Sequence, residues 1–307
     1  MTVANILMFL ALTGIYEPSA IQQLPDGRFL VVEDEKTHPF SLVTIRADGT
    51  VSSTPLVMAT PDTDAAFRKL DDLEGLAIDT AGFIYAITSH SRNSAGEMKR
   101  SREKLVRFRI EGDRATAPVV VTELKAALTG AHPLLAAAAK ILDVKAGGGF
   151  NIEALEMTPD RQRLLVGLRS PLLDRRAIVA SIENPTALFE AGAAPRIASR
   201  LDTLDLGGHG IRGMSYVPAL AGYLVVSGPV AREQVQFQLW FWSGRQGDPP
   251  RRVSVPGLPG FEHAEGVSPA IIDGRQRIVI VSDDGSRADQ RFARFLLLDP
   301  AQLRITH

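Results

Sequence analysis

Four glutamates stand at the start of a repeated sequence pattern, and their carboxylates could hold a cation or exchange a proton. Each copy has a charged residue, a small residue, an apolar strand, a turn and a second strand with a polar end. The copies begin at Glu17-Pro18-Ser19-Ala20, Glu74-Gly75-Leu76-Ala77, Glu153-Ala154-Leu155, Arg212-Gly213-Met214 and Glu265-Gly266-Val267. If the copies form a ring, the four glutamates and Arg212 should meet near its axis.

Carboxylates that converge on one axis repel each other, so something must reduce their charge. Three accounts remain open at this point. A hard cation, with calcium as the first candidate, could be held by carboxylate and carbonyl oxygens. Alternatively, Arg212, Arg169 and Arg92 could pair with the glutamates in a structural ring. In the third account, one glutamate stays protonated and acts as a general acid.

Basic residues on the predicted loops favour a small anionic ligand. Arg92, Arg169 and Arg212 are the candidates for binding it, because guanidinium groups bind carboxylate and phosphate through paired hydrogen bonds. His90 is the candidate proton carrier, and Glu74 is the candidate catalytic carboxylate. Further acidic residues follow the second strands: Glu33, Asp34, Asp283 and Asp284. The histidines do not have the spacing of a zinc hydrolase motif.

Short β-strands separated by Gly, Asp and Pro turns must position these residues. The strand count predicts a single all-β propeller of five four-stranded blades. The blades lie roughly at residues 17–60, 73–123, 152–201, 211–257 and 264–307. The last blade lacks a fourth strand and the apolar segment 3–12 lacks a partner, so we expect the N-terminal strand to complete that blade.

Two details of this architecture follow from local composition. Segment Glu123–Val144 is rich in Ala and Leu at helical spacing, which predicts a helical insertion, with a sixth, degenerate blade as the alternative. The fourth strand of the third blade is expected at Arg196–Arg200. In a propeller blade the innermost strand starts at the face where the second strand ends. The glutamates and the polar strand ends should therefore share one mouth of the funnel.

The composition excludes several classes of protein and partner. The 307 residues carry a net charge of −1, so neither nucleic acid nor an anionic membrane is an expected partner. Without cysteine there are no disulfides and no thiolate metal sites. The N-terminal apolar stretch lacks a basic region and a cleavage site, which favours a strand over an export signal, with the cytoplasm as the default compartment.

The same motifs resemble the bacterial family called domain of unknown function 3616. The resemblance covers nearly the whole chain and rests on Asp26-Gly27-Arg28-Phe29, Asp72-Leu73-Glu74-Gly75, Ser89-His90-Ser91-Arg92, Asn151-Ile152-Glu153-Ala154, Arg212-Gly213-Met214 and Glu265-Gly266-Val267. That family is similar in pattern to esterase-like phytase propellers and, more distantly, to calcium-dependent gluconolactonase-type propellers.

The resemblance implies a propeller fold and is consistent with calcium-assisted hydrolysis of a small anionic ester or phosphoester. In that hypothesis Glu17, Glu74, Glu153 and Glu265 surround the calcium ion. The rival hypothesis is a non-enzymatic propeller that binds a ligand or a protein and contains a structural ring of glutamate and arginine.

Overall fold

The computed structural model describes residues 7–34, 38–58, 65–231, 236–261 and 263–306, and it shows a five-bladed β-propeller. Each blade is an antiparallel sheet whose strands are arranged from the axis outward in chain order, except that the outermost strand of the last blade comes from the N-terminal segment. The prediction of an all-β propeller with five blades is confirmed. The described residues form no sixth sheet, so the alternative with six blades is wrong.

The strands of each blade have the following bounds. Blade 1 contains β2 (Pro18–Gln23), β3 (Phe29–Glu33), β4 (Phe40–Ile45) and β5 (Val51–Pro55). Blade 2 contains β6 (Leu73–Ile78), β7 (Ile84–Thr88), β8 (Leu105–Glu111) and β9 (Arg114–Val121). Blade 3 contains β10 (Asn151–Met157), β11 (Leu164–Ser170), β12 (Ala177–Ile182) and β13 (Asp202–Leu204). Blade 4 contains β14 (Gly210–Val217), β15 (Gly222–Gly228), β16 (Gln238–Trp242), β17 (Arg251–Ser254) and β21 (Arg304–Ile305). Blade 5 contains β18 (Ala264–Ile272), β19 (Arg275–Ser282), β20 (Arg294–Leu298) and β1 (Leu10–Ala11).

The two ends of the chain both complete blades. Strand β1 pairs antiparallel with β20, Leu10 lying opposite Phe295, so the N-terminal strand closes the last blade as predicted. The first part of the predicted segment 3–12 lies outside the described residues. Strand β21 pairs with β17 and adds a fifth strand to blade 4, which the sequence pattern did not predict. Both pairings cover a sheet edge that would otherwise be exposed.

The outer part of blade 3 differs from the prediction. Its fourth strand is Asp202–Leu204, and the expected segment Arg196–Arg200 contributes only a bridge between Ile197 and Ile182. A short helix, α4 (Pro185–Glu190), fills the space between β12 and that bridge. Leu188 and Phe189 on this helix are buried, so the chain packs apolar side chains there before it forms the outer strand.

The helical insertion is confirmed between blades 2 and 3. It contains α1 (Leu124–Ala131), α2 (Pro133–Ala138) and α3 (Val144–Gly147). Leu124, Leu128 and Leu135 are fully buried in the cluster that holds Phe150 and Ile152, so the insertion is packed onto the core. Three short 3-10 helices span Arg100–Arg102, Pro218–Leu220 and Pro300–Gln302. None of the helices described is both long and apolar enough to cross a membrane.

The core lies between the blades, so the middle strands are buried on both faces. Every residue of β3 and β7 is buried, which explains why their sequences are nearly continuous apolar runs. Phe40 of blade 1 and Phe108 of blade 2 meet edge to face at 5.3 Å, an example of the contacts that join neighbouring blades.

Small residues at the start of the innermost strands allow those strands to approach the axis closely. A Cβ at Gly75 would lie 2.8 Å from the backbone nitrogen of Leu155, and one at Gly266 would lie 2.9 Å from that of Ile21. At Gly213 it would overlap the carbonyl oxygen of Glu265. The axial cavity beside these residues has a volume of about 10 Å³, roughly what one water molecule requires. The small residue of each repeat therefore lets the innermost strands pack together and leaves almost no open space along the axis.

Candidate functional site

A β-bulge at the start of each innermost strand places one charged or polar residue at the funnel. The strand pairing skips one residue in every blade, between positions such as Leu73 and Gly75 in β6. The skipped residues are Ser19, Glu74, Glu153, Arg212 and Glu265. Bulges of this kind turn a side chain away from the regular alternation of the strand. We call these five residues the ring.

The ring position in blade 1 belongs to Ser19, so the expectation that Glu17 occupies it is wrong. Pro18 pairs with Glu33 and Ala20 pairs with Val32, which leaves Ser19 in the bulge. Glu17 lies two residues earlier, and its side chain is exposed. The sequence motif aligns the repeats on their acidic residue, whereas the structure aligns them on the small residue that follows the bulge. Glu17 therefore corresponds to Asp72 in blade 2.

Arg212 is the centre of an ion-pair network that joins three blades. Its guanidinium forms a bidentate pair with Glu265, in which Nε lies 2.8 Å from Oε2 and Nη2 contacts Oε1. Its Nη1 lies 2.9 Å from Oε2 of Glu153. The side chain of Arg212 is 12% exposed and those of Glu153 and Glu265 are 3% and 6% exposed. Charges this deeply buried interact strongly and depend on each other.

The electrostatics of the network follow from that burial. Burial opposes the charge on Arg212, but the carboxylates of Glu153 and Glu265 outweigh it and raise the pKa of the guanidinium. Burial raises the pKa of Glu265 to about 7, although Arg212 acts in the opposite direction. The ring thus holds a permanently charged arginine and, in Glu265, a carboxyl whose pKa lies near neutral pH.

The other two predicted arginines are also engaged. Nη1 of Arg169 donates to Oε1 of Glu153 at 3.1 Å, and its Nε donates to the carbonyl of Pro229 at 2.8 Å. Arg92 pairs with no ring glutamate. Its Nη1 donates to the carbonyl of Gly96 at 3.0 Å and its Nε to that of Ala139 at 3.3 Å, which ties the helical insertion to the loop after β7.

Glu74 is the ring carboxylate that the arginines leave without a partner. Among the described residues, no side chain or backbone group forms a hydrogen bond or an ion pair with it. Burial raises its pKa well above the ordinary value, and the charges of Asp72, Glu153 and Glu265 raise it further, while Arg212 lowers it. The three carboxylates of Glu74, Glu153 and Glu265 exceed the two guanidinium charges by one. Protonating one carboxyl would therefore bring the net charge of the group to zero.

Further carboxylates lie near the ring, on the side of the funnel mouth. Desolvation raises the pKa of Asp34, and the charges of Asp72 and Asp71 raise it further. Desolvation also raises the pKa of Asp283, where Arg212 acts to lower it and Glu17 to raise it. Asp72 pairs with Arg102. Asp34, Asp72 and Asp283 therefore add carboxylates near the ring at the funnel mouth. Asp34 and Asp283 were expected there from the strand ends, whereas Asp72 and Asn151 were not identified as site residues.

We expect the Glu74→Gln variant to melt at a higher temperature than the native protein at pH 8. The raised pKa means that the ionised form is disfavoured in the folded state, so stability is lost as the pH rises through that pKa. Removing the charge should raise the melting temperature by about 2–4 °C at pH 8 and have less effect at pH 5. Glu111→Gln, at an exposed position on the opposite face, is the matched control. A lower melting temperature for Glu74→Gln at pH 8 would show that the charge stabilises the fold.

His90 does not face the funnel. Its ring is fully buried, and Nδ1 lies 2.8 Å from the carbonyl oxygen of Thr88, so Nδ1 carries the proton and donates it. Nε2 has no partner among the described atoms. Burial lowers the pKa of His90 to about 4, with Lys125 contributing to the shift. This position does not suit the predicted proton carrier, whereas His263 at the mouth is exposed.

The four predicted calcium ligands do not form a metal-binding group in the described structure. Glu153 and Glu265 face Arg212, Glu17 lies outside the ring, and Glu74 is the one that remains available. Over the ranges that the structure describes, no group of three or more His, Asp or Glu side chains could hold a metal ion. The residues present do not form a preformed calcium site.

The family model described as "Protein of unknown function (DUF3616)" matches residues 120–295, more than half of the chain. The chain belongs to this family. The match includes three of the ring positions, Glu153, Arg212 and Glu265, so the arginine-centred network lies within the part of the chain that the DUF3616 model matches. No curated protein matches the chain.

Solved structures with similar folds are distant from this DUF3616 chain. The PQQ-bound aldose sugar dehydrogenase of Streptomyces coelicolor is 17% identical, with a TM-score of 0.47 over 95% of this chain and 97% of that one. The allergen Mala s 1 of Malassezia sympodialis is 10% identical, with a TM-score of 0.45 over 96% and 81%. A streptogramin B lyase is 8% identical, with a TM-score of 0.41 over 98% and 97%. Similarity this distant carries no conclusion about function.

Proposed function

We propose that this protein is a binding propeller whose funnel mouth holds a small organic cation on Glu74. The observation that carries the proposal is the lone carboxylate of Glu74, which no arginine pairs, beside the acidic residues that raise its pKa. A ligand ammonium or guanidinium group would relieve that repulsion and form a charge-assisted hydrogen bond. In this proposal the ion-pair network of Arg212, Glu153 and Glu265 has a structural role.

An organic cation fits the mouth better than a metal ion or an anion does. A calcium ion requires six to eight converging oxygen ligands, and among the described residues no group of three or more His, Asp or Glu side chains could hold a metal ion. An anion requires cationic donors, and the guanidinium groups of Arg169 and Arg212 are already paired with glutamates. An ammonium group needs only a negative field and one or two acceptors, both of which Glu74 and its neighbours supply.

Hydrolysis is the second candidate function, and the raised pKa of Glu74 favours it. A carboxyl that keeps its proton near neutral pH can donate it to the leaving group of an ester or a lactone. The two functions use the same group in opposite protonation states. Binding of a cation requires the ionised form, and general acid catalysis requires the protonated form.

One series of titrations tests the binding proposal. Thermal-shift and calorimetric titrations would use butylammonium, butylguanidinium, calcium, phosphate and butyrate as probes. The binding proposal expects the organic cations alone to raise the melting temperature, with at least tenfold weaker binding to Glu74→Gln and none of that loss in Glu111→Gln. A preference for phosphate or butyrate, or equal affinity for both variants, would contradict it.

The hydrolase candidate is tested with p-nitrophenyl esters, p-nitrophenyl phosphate and a γ-lactone. It expects turnover that falls as the pH rises through the pKa of Glu74 and disappears in Glu74→Gln. Absence of turnover in the native protein between pH 5 and pH 9 would exclude these reactions without affecting the binding proposal.

A further inference from the structure

A second cavity, separate from the funnel axis, lies between blade 1 and the loop that joins β19 to β20. Its volume is about 340 Å³, and it shares no lining residue with the axial cavity. The polar residues that line it are Glu33, His38, Ser41, Ser53, Thr54 and Arg287. None of the described residues that line it has a large apolar side chain, so the described wall would hold an occupant mainly by hydrogen bonds and charge.

The carboxylate of Glu33 is fixed at the wall of this cavity. Its side chain is 3% exposed, and its Oε1 accepts a hydrogen bond from the backbone nitrogen of Tyr16 at 2.9 Å. Its Oε2 lies 3.4 Å from the hydroxyl of Ser41, a long contact that leaves this oxygen with acceptor capacity. Burial raises the pKa of Glu33, with the backbone of Tyr16 and of Glu17 acting to lower it. A donor group in the cavity would complete the hydrogen bonding of Oε2.

A positive charge stands beside this carboxylate. Nη2 of Arg287 lies 3.5 Å from Oε1 of Glu33, and the guanidinium is stacked 4.5 Å above the ring of Tyr16. The Arg287 side chain is 50% exposed. Because the stacking fixes the plane of the guanidinium, its donors have a defined direction next to a fixed acceptor. The described wall of the cavity thus places the carboxylate of Glu33, a negative acceptor, next to the guanidinium of Arg287, a positive donor.

We propose that this cavity is a binding site for a small zwitterion with adjacent ammonium and carboxylate groups, such as a free α-amino acid. The ammonium group would donate to Oε2 of Glu33, and the carboxylate would accept from Arg287. The hydroxyls of Ser41 and Ser53 line the remaining wall and suit polar groups of the ligand.

A ligand with a single charge fits this cavity less well. An amine alone would approach Arg287, and a carboxylate alone would approach Glu33, so each gains one attraction and one repulsion. A zwitterion places each of its charges beside the opposite charge of the protein. The site does not depend on Glu74, so the two proposals can fail independently.

The experiment is a thermal-shift screen of the full-length protein with the twenty L-amino acids at 10 mM, followed by calorimetry with the best of them. Methylammonium, acetate and glucose serve as probes for a cation, an anion and a neutral polyol. We expect at least one amino acid to bind, with affinity at least tenfold lower in Glu33→Gln and in Arg287→Gln. Arg275→Gln, which alters an exposed arginine at the opposite end of β19, and Glu74→Gln should bind as the native protein does.

The outcomes separate the alternatives. Binding of acetate or methylammonium as tight as that of the amino acid, or binding of glucose in its place, would overturn the assignment to a zwitterion. So would unchanged affinity in Arg287→Gln, a variant expected to fold because the side chain is half exposed. Failure of every amino acid to shift the melting temperature would overturn the site itself.

Discussion

We expect Arg212→Met to lower the free energy of unfolding at pH 7.5 by about 3–5 kcal/mol. Arg212 is the only described partner of the Glu265 carboxylate, whose side chain is 6% exposed. Removing the guanidinium leaves that carboxyl buried without its partner, so it must either stay charged or take up a proton, and this cost exceeds the value of the pair itself. Urea denaturation followed by circular dichroism measures the loss.

Two further variants show whether the loss arises from the unpaired charge. Arg252→Met removes an exposed arginine on β17 and should change stability by less than about 0.5 kcal/mol. Arg212→Met with Glu265→Met removes both members of the pair, and we expect it to recover much of the lost stability because apolar replacements of buried pairs are well tolerated. At pH 5 the difference in free energy of unfolding between the native protein and Arg212→Met should be smaller, because protonating Glu265 then costs less. A loss below about 1 kcal/mol would mean that the ring does not stabilise the propeller.

The repeat made the propeller predictable from sequence, because turn residues and apolar strands recur in every blade. The closure by β1 was predictable for the same reason, since an incomplete blade and an unpaired strand complement each other. The exceptions are elements without a repeat signal. Strand β21 has two residues, and α4 occupies the place where a fourth strand was expected in blade 3. Such short elements are determined by packing against neighbours, which a single chain segment does not reveal.

The sequence predicts four of the five ring residues but does not determine which charged groups pair with each other. Glu74, Glu153, Arg212 and Glu265 occupy equivalent bulges, whereas Glu17 does not, because a shift of register along a strand is invisible in a short motif. The pairing of Arg212 with two glutamates was one of three accounts and depended on distances between blades. The burial of His90 was missed because a polar residue after a strand usually faces solvent.

His90 should make the protein sensitive to acid. Its ring is fully buried, and burial lowers the pKa to about 4, whereas an exposed histidine has a pKa of about 6.5. Between about pH 6.5 and pH 4, the histidine is therefore protonated in the unfolded chain but not in the folded protein. The contribution of neutral His90 to the free energy of unfolding is fully present above about pH 6.5 and is lost as the pH falls towards 4. Between pH 7.5 and pH 4.5 we expect this group to lower the free energy of unfolding by about 2–3 kcal/mol.

The His90→Asn variant isolates this contribution from that of the carboxylates. Asparagine tolerates the backbone φ of 54° at this position, and its amide can still donate to the carbonyl of Thr88. We expect the variant to be less stable than the native protein at pH 7.5, because it loses a buried ring, but to lose about 2–3 kcal/mol less on acidification to pH 4.5. His38→Asn, at an exposed position, should keep the native pH dependence. Parallel denaturation curves for native protein and His90→Asn across this range would mean that the buried Nε2 accepts a proton without unfolding, which requires a neighbouring group or water to stabilise the imidazolium beside Lys125.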